Sequence, residues 1–219
     1  MGILSTATQE NLEMKRIVAA TAAPLIALIL AVSPVGADQH LAASSEFVQS
    51  LADRAIGTLT AEGQTAETRR VEFRDLFREG FAINGIARYS LGSSWNSASA
   101  SDRSEYLTLF EDVIVTTWAD RFSNYSGQKF TVQTAVDASN ANASEKVAII
   151  RSVFFSDPQT PINIDWRVAS LGDLFKITDV VVDGVSMANT QRDEFASVIA
   201  SNSGEISALL DILRNKRDS

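Results

Sequence analysis

The spacing of apolar residues in this chain switches from three-to-four to two and then back again, which restricts it to folds that keep helices and sheet in separate blocks. Phe47, Val48, Leu51, Ala52, Ala55, Ile56 and Leu59 recur at helical spacing and predict an amphipathic helix over 41–61. A second helix is expected over 66–79, ending at Gly80. Asn84 is then placed to cap a helical turn through Ile86 and Tyr89 that stops at Leu91-Gly92. The longest helix starts at Ser99, with Asp102 three residues on in a capping-box arrangement. Its stripe of Tyr106, Phe110, Val113, Ile114, Thr117, Trp118, Phe122 and Tyr125 is wide and aromatic. After Ser126-Gly127 the period is two, and four strands are expected. Phe130, Val132, Thr134 and Val136 alternate in the first, Asn140-Ala141-Asn142 breaks it, and 146–155 forms the second. The third carries Ile162, Ile164, Trp166 and Val168 on one face and Asn163, Asp165 and Arg167 on the other. Ser170-Leu171-Gly172-Asp173 turns into the fourth, Leu174 to Val182, and such short connections imply antiparallel pairing. Two helices, 190–202 and 205–216, follow with Gly204 between them. The expected class is α+β: N-terminal helices, a four-stranded antiparallel sheet, then C-terminal helices.

Upstream of these elements, Met14-Lys15-Arg16 precedes the apolar run Ile17 to Val32 and then Ser33-Pro34-Val35-Gly36-Ala37, the pattern of a secretory signal peptide. The run of 16 residues is shorter than the roughly 20 that span hydrocarbon, and it contains Pro24. Cleavage is expected after Ala37, leaving 38–219 as a single exported domain with a periplasmic location. Residues 1–13 are polar, contain Glu10 and Glu13 and add nothing a signal needs, so Met14 is an alternative start. For an exported chain the complete lack of cysteine is informative: it excludes disulfides, thiolate chemistry and cysteine-ligated zinc, so an apolar core must supply stability. A net charge of −8 argues against nucleic acid as a partner and against attachment to an anionic membrane by charge. The one histidine, His40, falls close to the expected new N-terminus, where a mobile segment is expected, and this argues against Ser/His and Cys/His mechanisms.

Two carboxylates interrupt the apolar run at 176–186. Asp183-Gly184 reads as a turn, because glycine supplies positive φ and Asp bonds nearby amides. Thr190 is placed to cap the helix that follows, with Asp193 three residues on. Asp179 shares strand parity with Phe175, Ile177 and Val181, which predicts partial burial and a partner such as Arg151, Arg167 or a backbone group. The same position would suit a general base in a cone-shaped isomerase or hydratase. No clustering at ligand spacing supports a metal site, and no motif calls for a cofactor.

The segment VDGVSMANTQRDEF (182–195) and the block from Phe81 to Val132, with Leu91-Gly92, Trp95, Phe110 and Tyr125-Ser126-Gly127 leading into Phe130, resemble the MlaC-like (toluene-tolerance) periplasmic phospholipid carriers. The likeness runs from about Phe47 to Leu213. Phe175 and Thr178 stand where that family often has Trp and Tyr before its Asp, the place of Asp179 here. The resemblance implies a non-enzymatic shuttle for phospholipid between an outer-membrane lipoprotein complex and an inner-membrane ABC transporter with an MCE-domain ring, in the service of outer-membrane lipid asymmetry. A related branch is associated with hopanoid lipids. It also implies an apolar cavity between helices and sheet, for which Phe110, Ile114, Trp118, Phe130, Val132, Ile164, Trp166, Val168 and Val181 are the candidate lining residues. The same residues would also serve to fill a closed core, and periodicity does not separate the two.

Overall fold

The computed structural model describes residues 35–218 except 62, 64, 123–128, 142, 158 and 159. The apolar run of the signal segment, Tyr125, Ser126, Gly127 and Asn142 lie outside the described residues. In chain order the helices and strands are α1 (Val35–Thr60), α2 (Ala66–Gly80), α3 (Ile83–Leu91), α4 (Ser94–Ser97), α5 (Ala100–Phe122), β1 (Lys129–Asp137), β2 (Lys146–Asp157), β3 (Thr160–Leu171), β4 (Leu174–Val182), β5 (Val185–Ser186), α6 (Met187–Ser201) and α7 (Ile206–Arg217). The class is the expected α+β, with one strand more than expected, because β5 is too short to show alternation. No helix among the described residues is long and apolar enough to cross a membrane.

Local chemistry explains most boundaries. The expected capping box forms at the start of α5, where Asp102 N–H donates to Ser99 Oγ at 3.1 Å and Ser99 Oγ donates back to Asp102 Oδ2 at 2.7 Å. Gly92 ends α3 with φ 59°, a conformation that suits glycine. Two expected caps are corrected. Asn84 lies inside α3, whose N-cap is Ala82 with no side-chain bond. Thr190 lies inside α6; the helix begins three residues earlier, at Met187, and is capped by Ser186, whose Oγ accepts from Asn189 N–H at 3.1 Å. The first helix also starts earlier than expected, so the expected cleavage point after Ala37 falls in its first turn.

The five strands form one antiparallel meander in the order β1-β2-β3-β4-β5. Three register shifts interrupt the pairing among the described residues; one falls at the end of β2, between Phe155 and Asp157, and the other two are β-bulges within β1 and β4. Val132 pairs with Ser152 but Thr134 pairs with Arg151, leaving Gln133 as the extra residue of β1. Arg167 pairs with Asp179 but Val168 pairs with Ile177, leaving Thr178 as the extra residue of β4. Expected parity therefore fails beyond each bulge. Thr134 and Val136 leave the face of Phe130 and Val132, and Asp179 and Val181 leave the face of Phe175 and Ile177.

Packing divides the apolar side chains into two clusters. The first is all helical: Phe73 and Phe77 of α2, Ala87 and Leu91 of α3, Tyr106, Leu109 and Phe110 of α5, Phe195 of α6 and Leu209 and Leu213 of α7. Tyr106 is fully buried, and its hydroxyl donates to Ala87 O at 2.9 Å, tying α5 to α3. Burial pushes its phenol pKa up, as expected for a group held neutral in an apolar site. The second cluster joins Val48 and Leu51 of α1 and Leu76 of α2 to Ala148, Ile150, Val168 and Ile177 on one face of the sheet, here called the inner face. Ala55 and Phe81 are packed against both.

Candidate functional site

Pairing register places the sheet residues singled out by sequence. Ser152 faces Val132 on one side and Ile164 on the other, Ile150 faces Trp166, and Ala148 faces Val168. Directly paired residues of an antiparallel sheet share a face, so Phe130, Val132, Ile164, Trp166 and Val168 all lie on the inner one. Val181 does not: it pairs with Asp165 on the opposite face, beyond the bulge at Thr178.

The inner face is covered unevenly. At one end Ala148, Ile150, Val168 and Ile177 are each 0% exposed, in the cluster to which α1 contributes. At the other end Phe130, Val132, Phe154, Ile162, Ile164 and Val182 are only partly buried. Trp166 stands between the two. Its Nε1 donates to Ser152 Oγ at 2.9 Å, and that hydroxyl donates to Ile164 O at 2.9 Å, so the polar edge of the indole is satisfied within the sheet. The ring meets Phe130 edge-on at 6.1 Å. An apolar strip with its hydrogen bonds already made offers only contact surface.

The helical candidates sit in the other cluster. Phe110 is buried among Tyr106 and Phe195, with ring centroids 5.8 and 6.3 Å away, and Ile114 and Trp118 are partly buried against the same group. Phe110 and Ile114 line a cleft of about 110 Å³ with Phe195, Val198 and Leu213. That is well below the roughly 300–1,000 Å³ typical of small-molecule sites. The nine candidates therefore fall into two groups and an outlier: three on α5, five on the inner sheet face, and Val181 on the far face.

Asp179 and Asp183 both turn out to be built into the scaffold. Asp179 Oδ2 accepts from Ser186 Oγ at 2.7 Å and Oδ1 accepts from Ala188 N–H at 3.1 Å. One carboxylate thus binds two groups at the start of α6, where negative charge is favoured by the helix dipole. The expected backbone partner is found in Ala188 N–H, whereas Arg167, its cross-strand neighbour, makes no side-chain bond to it among the described residues and Arg151 instead reaches Asp165 at 3.9 Å. Asp183 takes φ 47° in the turn, and its Oδ1 accepts from Asn163 N–H at 3.0 Å, so it stitches the β4–β5 turn to β3. Among the described residues no group of three or more His, Asp or Glu is arranged to hold a metal.

His40 corrects the sequence reading in a different way. It lies buried within α1, 8% exposed, with Nδ1 3.3 Å from Ser170 Oγ and its ring stacked on Phe175 at 6.4 Å. Burial, and then the Lys146 ammonium, push the imidazole below its ordinary pKa, while Asp137 opposes the shift. The signal was present in the spacing: His40, Ser44, Val48, Leu51 and Ala55 form one helical stripe, with two polar members at its start.

The model of the MlaC protein family matches residues 49–215. The intermembrane phospholipid transport system binding protein MlaC of Haemophilus influenzae is 28% identical over 99 residues, which are 44% of this chain and 45% of that protein. The aligned segment thus spans less than half the length of that relative. A solved structure of the phospholipid-binding protein from Ralstonia solanacearum in complex with a phospholipid matches with a TM-score of 0.65 at 18% identity, covering 80% of this chain and 97% of that one. At that identity the likeness is one of fold.

Proposed function

The chain belongs to the MlaC protein family, and from that premise we propose that it is an exported, non-enzymatic phospholipid carrier. The observation that carries this reading is the inner sheet face, mainly apolar, with Ser152 held in hydrogen bonds to Trp166 and Ile164, but only partly buried at the end formed by Phe130, Val132, Phe154, Ile162, Ile164 and Val182. Moving a two-chain lipid through water unshielded costs on the order of 20 kcal/mol at about 0.8 kcal/mol per CH₂, so a carrier must enclose most of both tails. A half-covered apolar strip is where such tails gain most. The helical cluster beside it meets the sheet cluster along a seam of Ala55, Phe81 and α2, whose Phe77 belongs to one cluster and Leu76 to the other. In this reading Phe110, Ile114 and Trp118 come to face the strip when lipid opens the seam, and Val181 is no part of the lining. The periplasmic location, the exchange with an outer-membrane lipoprotein complex and an MCE-domain ABC transporter, and the role in outer-membrane lipid asymmetry complete the proposal.

Purified from the periplasm without added lipid, the protein is expected to begin at Asp38 and to release glycerophospholipid on solvent extraction, with matching adduct masses under native mass spectrometry. A lipid-free protein, or one retained in the inner membrane with residues 17–32 attached, would overturn the proposal. A hopanoid in the extract would point to the related branch of the family.

A further inference from the structure

Gly85, Arg88 and Tyr89 stand on one face of α3, with Gly92 just past its end, away from the buried Ile83, Ala87 and Leu91. With Trp95 and Asn96 of α4 and Arg192 of α6 they line an open cleft of about 360 Å³. Tyr89 donates its hydroxyl to Asn189 Oδ1 at 2.5 Å, and Arg103 donates to Trp95 O and Asn96 O at 2.7 and 3.0 Å, so the walls are tied together. Two guanidinium groups look into this space. That of Arg88 lies 5.6 Å from the ring centre of Trp95, and that of Arg192 lies 5.1 Å from that of Tyr89.

We propose that this cleft is a phosphate-binding site, with Arg88 and Arg192 as its two cationic arms. The first argument is charge. The chain carries net −8, and Arg54, Arg74, Arg78, Arg151 and Arg214 each pair with a carboxylate. Arg88 and Arg192 have no carboxylate partner among the described residues, and no acidic side chain lines the cleft. Two like charges sharing one concavity repel unless an anion joins them. The second argument is orientation. A guanidinium held with its carbon over an aromatic ring is steadied without spending its N–H groups, which remain available for oxyanion oxygens. A carboxylate is satisfied by one such fork, whereas the tetrahedral oxygens of a phosphate suit two forks arriving from different helices. The third argument is space. Gly85 lies within α3, where glycine is unfavourable by about 1 kcal/mol relative to alanine. A Cβ there would meet nothing nearer than Ala82 Cβ at 3.7 Å, so packing does not demand the glycine, which lines the cleft without a side chain. The phosphate chemistry stands on Arg88 and Arg192, and that the phosphate belongs to a lipid headgroup rather than a free ester rests on the carrier reading above.

Calorimetric titration of the delipidated mature protein at low ionic strength, with dihexanoyl phosphatidylglycerol below its micelle concentration, glycerol 3-phosphate and inorganic phosphate, tests both points. The pair Arg88→Gln and Arg192→Gln is compared with Arg54→Gln and Arg217→Gln, which removes the same charge elsewhere, and thermal midpoints verify folding. Glycerol 3-phosphate binding is expected to weaken by at least about tenfold in the first pair and to persist in the second. If the short-chain lipid binds more tightly than glycerol 3-phosphate and suffers the same loss, the headgroup is the source. If the two phosphate esters bind alike, a free ester is the source. Phosphate binding that is absent, or that falls equally in both pairs, overturns the site, and lipid binding that survives intact beside it leaves the carrier reading standing.

Discussion

At one end of the inner sheet face Ala148, Ile150, Val168 and Ile177 are 0% exposed, and at the other Phe130, Val132, Ile162 and Ile164 are only partly buried, although the side chains are of the same kinds. The difference lies in what covers them. Val48 and Leu51 of α1 pack in one cluster with the first group, whereas Phe130 and Val132 only flank that cluster and Ile162 and Ile164 belong to neither. Residue type therefore sets which face of a strand is apolar, and coverage decides whether that face is core or binding surface. A closed core is damaged by removing volume, and an open strip is damaged by adding it.

The comparison breaks first at its closed end. Ile150→Ala leaves a cavity under α1, and denaturant unfolding is expected to show a loss of about 2–5 kcal/mol. Lipid per folded molecule should be unchanged; a loss below about 1 kcal/mol would mean that this end is no more closed than the other.

Asp179→Asn is expected to cost less. It removes charge from the carboxylate that holds Ser186 and Ala188 at the start of α6, and a loss of roughly 1–3 kcal/mol with bound lipid retained fits that role. Full stability coupled to loss of a measurable turnover would instead restore the isomerase reading.

A smaller effect concerns His40 at the closed end. An unfolded histidine gains a proton near pH 6.5, while burial holds the folded one below that value, so the unfolded chain binds more protons and stability falls as the pH drops below about 7. The carboxylates with lowered pKa, Glu79 beside Arg54 and Asp137 beside Ser139, act in a separate, more acid window. Thermal midpoints between about pH 7 and pH 5 should decline in the parent and much less in His40→Gln. Equal slopes would place the sensitivity elsewhere.

Ser99 and Asp102 marked the start of α5, and the clean alternation from Ile162 to Val168 marked β3 and its apolar face, because in each case one pattern had no rival. The two bulges were hidden, since an extra residue at Gln133 or Thr178 leaves a run that alternates equally well in the shifted register. Val180, Val181 and Val182 are identical side chains, so nothing in the run says which of them points inward. Asp179 was recognised as structural, but its partners Ser186 and Ala188 lie across a turn whose geometry no periodicity records. The candidate lining was legible as a list of apolar residues, whereas the uneven cover over it depends on how α1 docks.

Ile164 lies on the open strip beside Trp166, and Ile164→Trp tests the central claim most directly when lipid content and unfolding free energy are measured together on protein compared after delipidation. The account predicts a change in stability below about 1 kcal/mol with bound phospholipid reduced to roughly half or less, because the added ring takes space the acyl chains use. A variant that keeps its full lipid load, or that loses the 1–3 kcal/mol or so typical of an overpacked core after delipidation, would contradict it and make this end of the sheet ordinary interior.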